Sequence, residues 1–212
     1  MEVQATILSS AITGISVIVL ILISLTVHEF AHAFVANLFG DPTAKMDGRM
    51  SLNPIRHWDP IGTTLLVGLL VLRIFGLSVP VFGWGKPVPV DERNFDNPKL
   101  YGLQTALAGP MSNFILAVIL ALFYRYINLP GIVGAIVFLG VYLNIFLMFF
   151  NLLPIPPLDG SRLLRLFIPE QTYFALASNP LLFFGVFFVV LFFLLDYLVL
   201  ASNQITALLI GL

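Results

Sequence analysis

Apolar positions run almost unbroken from residue 6 to residue 39, and the only ionisable interruption is His28, Glu29 and His32. As one helix rising about 1.5 Å per residue, this segment outruns a hydrocarbon core of roughly 30 Å, so one end must tilt or protrude. Gly40, Asp41 and Pro42 stop it, and 41 to 60 form a polar loop. A shorter apolar stretch, 61 to 77, carries Arg73. After it VFGWGKPVPV and DERNFDNPK show the prolines, glycines and alternation of extended strand or loop. Two further spans are predicted near 101 to 127 and 131 to 152. A proline-rich break, NLLPIPPLDG at 151 to 160, separates them from a last span near 180 to 200.

Composition places these segments in lipid. The chain has 212 residues, 59% apolar and 10% charged, with a mean hydropathy of +1.00. A net charge of -1 suggests no nucleic-acid partner. The absence of cysteine removes disulfides, thiolate zinc sites and cysteine nucleophiles, so any metal must be held by nitrogen and oxygen. No basic stretch precedes the first apolar run, which is therefore expected to stay as a span rather than be cleaved as a signal peptide. There is no internal repeat or second soluble domain: residues 1–212 read as one membrane-embedded domain, with a core at 6–167 and an accessory C-terminal span at 178–212.

Basic residues argue the topology, because Lys and Arg in short loops stay on the cytoplasmic side. Lys45, Arg49, Arg56, Lys86, Arg93, Lys99, Arg162 and Arg165 share one face only if 61 to 77 does not cross the membrane. That segment is expected to be re-entrant or interfacial, leaving four full spans, an external N-terminus and an active site near the cytoplasmic side.

His28-Glu29-Phe30-Ala31-His32 is an HExxH sequence. On a helix, residues i and i+4 share a face, so both imidazoles can reach one zinc ion. Glu29, about 100° round, can touch the attacking water without being a ligand. An accidental match is a weak alternative, since a charge at the bilayer centre costs roughly 2.5 kcal/mol or more and seldom stands there without function. A catalytic zinc normally takes three protein ligands. Candidates for the third are Asp159, Asp196, Glu2 and His57. Asp159 is favoured because Pro154, Pro156 and Pro157 must unwind the chain before it and so mark a protein-lined cavity.

HEFAH at 28 to 32, AGPMSN at 108 to 113 and NLLPIPPLDG at 151 to 160 resemble the three signature motifs of the site-2 protease family of intramembrane zinc metalloproteases. GDPTA, SLNPIRHWDPIGT and FGWGKPVPV resemble its compact prokaryotic branch, which has no appended soluble domain. The resemblance implies one zinc per chain on His28, His32 and Asp159, with Glu29 activating water. It also implies Asn151 and Asn113 near the active site, where an amide can steady an oxyanion or hold an extended substrate strand. Ordinary interhelical hydrogen bonding remains the competing role for both asparagines.

The expected fold is an all-α polytopic membrane bundle of four to five transmembrane helices, with a re-entrant or interfacial segment and a small β element at 81 to 90. That element could pair with an unwound substrate, since a scissile backbone must be extended. The expected function is hydrolysis of peptide bonds within or beside the transmembrane segment of single-span membrane proteins, in the plasma membrane of a prokaryote. A transporter in which the same helices line an ion path would explain the ligands but not Glu29 as a base. Three histidines are too few for a multi-histidine di-iron oxygenase.

Overall fold

A computed structural model describes residues 2–79, 81–178 and 180–212. Its helices are α1 (Glu2–Leu38), α2 (Thr43–Met46), α3 (Gly62–Ile74), α4 (Pro98–Tyr126), α5 (Gly131–Asn151), α6 (Glu170–Ala177) and α7 (Pro180–Ile210). Short 3₁₀ segments lie at Pro54–His57, Glu92–Asn94 and Asp159–Leu166. Four of the described helices, α1, α4, α5 and α7, are long and apolar enough to cross a membrane, and α3 is not. The architecture is the expected all-α polytopic one.

Lipid supplies no hydrophobic drive between helices, so close packing of small residues must hold them together. The core lies where α4, α5 and α7 meet, around Ala117, Ala121, Val141, Ile145 and Ile210. Gly140 lets α5 approach both neighbours: a Cβ there would stand 3.0 Å from Leu120 and 3.3 Å from Leu20. Asn97 caps α4 by accepting the Leu100 N–H, with Pro98 at the first position.

The segment between α1 and α4 enters the bundle and returns. Ile74, at the far end of α3, abuts Gly14 in the first half of α1. The chain then comes back along α3, where a Cβ on Gly83 would stand 2.5 Å from the Gly62 carbonyl. The Trp84 carbonyl accepts the Thr63 hydroxyl at 3.1 Å. Both ends of this excursion lie together, and α3 is shorter than the four described helices long enough to span.

The expected β element does not form: among the described residues there is no strand. Residues 81–91 are extended, but prolines at 87 and 89 remove two N–H groups from any ladder. Side chains and loops take the remaining backbone groups. Arg49 donates to the Lys86 and Pro87 carbonyls at 2.5 and 3.2 Å, and the Lys86 N–H reaches the His57 carbonyl at 2.9 Å. This extended strap is tied to the end of α1 by Asp41, which is fully buried. One Asp41 oxygen accepts from the Thr43 N–H, the Thr43 hydroxyl and the Asn94 amide; the other accepts the Asp91 N–H. Burial pushes this carboxyl up, but those four donors outweigh it and hold it below the usual carboxylate range.

Candidate metal centre

His28 and His32 lie one turn apart on α1, about 15 and 9 Å along the axis from the helix end at Leu38. Their Nε2 atoms stand 3.0 Å apart, with the rings edge to face. The third arm comes from the opposite end of the sequence. The turns after α5 bring Asp159 to the same point, with its carboxylate oxygens 3.0 Å from His28 Nε2 and 3.3 Å from His32 Nε2. Gly160 makes that approach possible, because a Cβ there would collide with the Leu152 carbonyl and lie 2.6 Å from that of Leu153.

Each imidazole is oriented from behind. His32 Nδ1 is 2.7 Å from the Thr105 carbonyl, and His28 Nδ1 is 2.7 Å from Asn113 Oδ1. A carbonyl oxygen can only accept, so His32 carries its proton on Nδ1 and presents the Nε2 lone pair inward. One ligand atom from each of His28, His32 and Asp159 lies within 4.8 Å of the others. Asp159 Oδ2 is buried and finds no hydrogen-bond donor. Two imidazoles and a carboxylate, with lone pairs converging and their other nitrogens occupied, fit a zinc ion and leave a fourth position open.

Gly109 of α4 faces the ligands directly, and a Cβ there would stand 2.6 Å from His28 Nε2. Beside the site is a cavity of about 410 Å³ lined by His32, Thr105, Asp159, Val88, Val90 and Arg162. Glu29, half-buried, turns away from the metal ligands far enough to accept the Val88 N–H at 2.8 Å.

Residues 128–192 match Peptidase family M50. YwhC of Bacillus subtilis, named as a zinc metalloprotease, is 42% identical over 161 residues, which cover 72% of this chain and 68% of YwhC. The chain belongs to peptidase family M50. Rip2 of Mycobacterium tuberculosis, also named as a zinc metalloprotease, is 33% identical over 87% of this chain and 69% of its own length. Rip2 of Mycolicibacterium smegmatis is 34% identical over 74% of this chain, and the match spans only 58% of that relative. No solved structure matches the chain. As an M50 member it is a zinc metalloprotease, and its four long apolar helices make it a membrane protein.

The remaining sequence candidates fall in different places on the M50 chain. Asn113 is fully buried, with its carbonyl oxygen on His28 rather than toward the cavity. Asn151 closes α5 and donates to the Leu147 carbonyl one turn back at 3.0 Å. His57 is buried away from the metal ligands, its Nε2 2.7 Å from the Ser51 carbonyl. Asp196 is exposed on α7. The Glu2 side chain lies outside the described residues.

Sequence reasoning passed over two groups. Glu92 of the strap accepts from Arg162 and Arg165 on the segment that carries Asp159, and Arg165 also pairs with Glu170 at 2.6 Å. Asn144 stands behind Asn113. An amide within an α5 span of hydropathy 2.4 was the available signal for Asn144; Glu92 offered none, because its partners lie about 70 residues away in sequence.

Proposed function

We propose that this M50 protease cleaves peptide bonds within or next to the transmembrane segment of single-span membrane proteins, using one zinc ion held by His28, His32 and Asp159. The observation that carries this reading is the meeting of Asp159 with two imidazoles of a membrane-spanning helix, about 9 to 15 Å from that helix's end, beside a carboxylate that is not a ligand. When bound, zinc supplies Lewis acidity that lowers the pKa of water toward 7 and polarises the scissile carbonyl. Glu29 accepts the proton from the attacking water and returns it to the leaving amine. One of its oxygens accepts the Val88 N–H, which ties the carboxylate to the strap.

The cavity beside His32 and Asp159 receives the unwound substrate, which must enter extended because a membrane helix hides its carbonyls. The strap lines this cavity with Val88, Val90 and Glu92, facing α4 and the turn that carries Asp159, so a backbone laid between Val88 and Thr105 would pass the metal ligands. Asn151, the last residue of α5, is assigned to substrate contact. Asn113 is assigned to holding His28, since its carbonyl is committed there. The basic loops gather at the end of the bundle where α1 stops and α4 begins. By the positive-inside rule this face is cytoplasmic, with the chain multi-pass in a prokaryotic plasma membrane.

The test pairs Glu29→Gln with wild type in detergent, reading zinc by elemental mass spectrometry and cleavage against a panel of single-span proteins bearing glycine or proline in their spans. Wild type should give fragments ending within or a few residues outside the span. Glu29→Gln should keep zinc and lose cleavage by about a thousandfold. Fragments ending only in soluble regions, or undiminished cleavage by the variant, would overturn the reading.

A further inference from the structure

We propose that Asn144, on α5, is a positioning residue that fixes the tautomer and orientation of the metal ligand His28 through Asn113; this rests on the zinc assignment above. The observation is a chain of hydrogen bonds crossing three helices. Asn144 Nδ2 donates to the Gly140 carbonyl at 2.9 Å, Asn113 Nδ2 donates to Asn144 Oδ1 at 2.9 Å, and Asn113 Oδ1 stands 2.7 Å from His28 Nδ1. Asn113 Nδ2 also lies 3.4 Å from the Ser24 carbonyl of α1. Both asparagines are fully buried.

The direction of this chain is not free. Its far end is a backbone carbonyl, which can only accept, so Asn144 must present its NH₂ to Gly140 and its carbonyl oxygen to Asn113. Asn113 must then present its NH₂ to Asn144 and its own carbonyl oxygen to His28. Flipping either amide would set NH₂ against NH₂, or oxygen against oxygen, in a buried site where an unmade hydrogen bond costs about 1–3 kcal/mol. His28 is therefore left with one role at Nδ1, that of donor, and its Nε2 lone pair faces Asp159 and His32. A group two side chains from the metal thus sets the ligand's protonation pattern. His32 obtains the same result directly from the Thr105 carbonyl, so the two imidazoles are matched by unequal means.

The geometry also joins both halves of the site to one helix. α5 holds His28 through Asn144 and leads at its end into the turns that carry Asp159. A change in the seat of α5 would disturb two of the three ligands together.

The experiment measures zinc dissociation constants by chelator competition on the full chain in detergent, for wild type, Asn113→Leu, Asn144→Leu, the double variant and Val141→Ala. Val141 is fully buried on the same helix but outside the hydrogen-bond chain, so its variant reports packing alone. Asn113→Leu and Asn144→Leu are each expected to weaken zinc binding about tenfold, the scale for groups behind a ligand. The double variant should weaken it about tenfold as well, because the two residues act in series. Val141→Ala should stay within about twofold of wild type.

Binding by Asn144→Leu within twofold of wild type overturns the proposal and leaves the zinc assignment standing. A hundredfold additive loss in the double variant, or an equal loss in Val141→Ala, overturns it too. A wild type that takes up no zinc overturns the assignment and the proposal together. Should Asn144→Leu not fold, Asn144→Ser is read by the same criteria: its hydroxyl can bond back to Gly140, as Ser202 does to Leu198, without reaching Asn113.

Discussion

The two walls of the cleft are built by opposite means. On one side, α1 and α4 place His28, His32 and Gly109 through buried contacts, with Asn113 and the Thr105 backbone behind the imidazoles. On the other, the strap at 81–97 has no secondary-structure ladder and is held by Glu92, Asp41 and Arg49 through charged or backbone contacts. A buried amide chain in lipid has no water to exchange with, so it fixes one geometry. The strap has no ladder of its own, so its position rests on a few separate side-chain bonds and ion pairs, each of which can yield by itself. The rigid wall suits a metal centre, and the looser wall suits a surface that must make room for a substrate backbone.

Gly109→Ala should break the rigid wall most severely. The added methyl would sit against both Nε2 atoms, and zinc affinity should fall by more than about a hundredfold, beyond the usual cost of changing a group behind a ligand. Chelator competition measures this; binding unchanged within threefold would mean that α4 does not press on the ligands.

The strap should respond differently. Val88→Pro removes the N–H on Glu29 while leaving every proposed ligand untouched, so cleavage should fall about tenfold, the worth of one hydrogen bond to a charge, with zinc content unchanged. Zinc lost alongside activity would show that the walls are not separable.

Glu92→Gln sharpens the contrast in stability. It leaves the buried Arg165 with only Glu170 and frees Arg162, and should cost about 3 kcal/mol of unfolding free energy in detergent denaturation.

The smallest effect is one of pH. Asp41 has a folded pKa below its ordinary value of 3.8, so its contribution is complete above that value and is lost as pH falls through the lower folded one. Asp91, gripped by the Arg93 guanidinium, is lowered to about 2 and stays charged longer. Hydrogen exchange at 91–95 should therefore be flat from pH 7 to 5 apart from the intrinsic rate, and protection should drop below about pH 4. Loss of protection near pH 6 would point to a different anchor.

Much of the rigid wall was legible in the sequence. HExxH at i and i+4 states its own geometry on a helix, and three prolines before Asp159 announce a broken chain that must be sheltered. The excess of loop Lys and Arg on one face argued for a re-entrant or interfacial 61–77, and α3 is shorter than the four described helices long enough to span. The strap was legible only as extended backbone. Alternation suggested a strand, but a strand needs a partner, and local sequence cannot show that Glu29, Arg49 and His57 take up its groups instead. Asn113 read either as an oxyanion or substrate contact or as an interhelical hydrogen bond, because a motif gives a position, not a direction. Its amide turned out to face His28, and that orientation depends on Asn144, 31 residues away on another helix.

The most direct test is zinc per polypeptide, by elemental mass spectrometry, on detergent-purified wild type and on an Asp159→Ala variant with the same helical content. One zinc per wild-type chain, falling sharply in the variant, is the expected result and ties residues 28, 32 and 159 into a single centre. Full zinc in Asp159→Ala, or none in wild type after resupply, would contradict it.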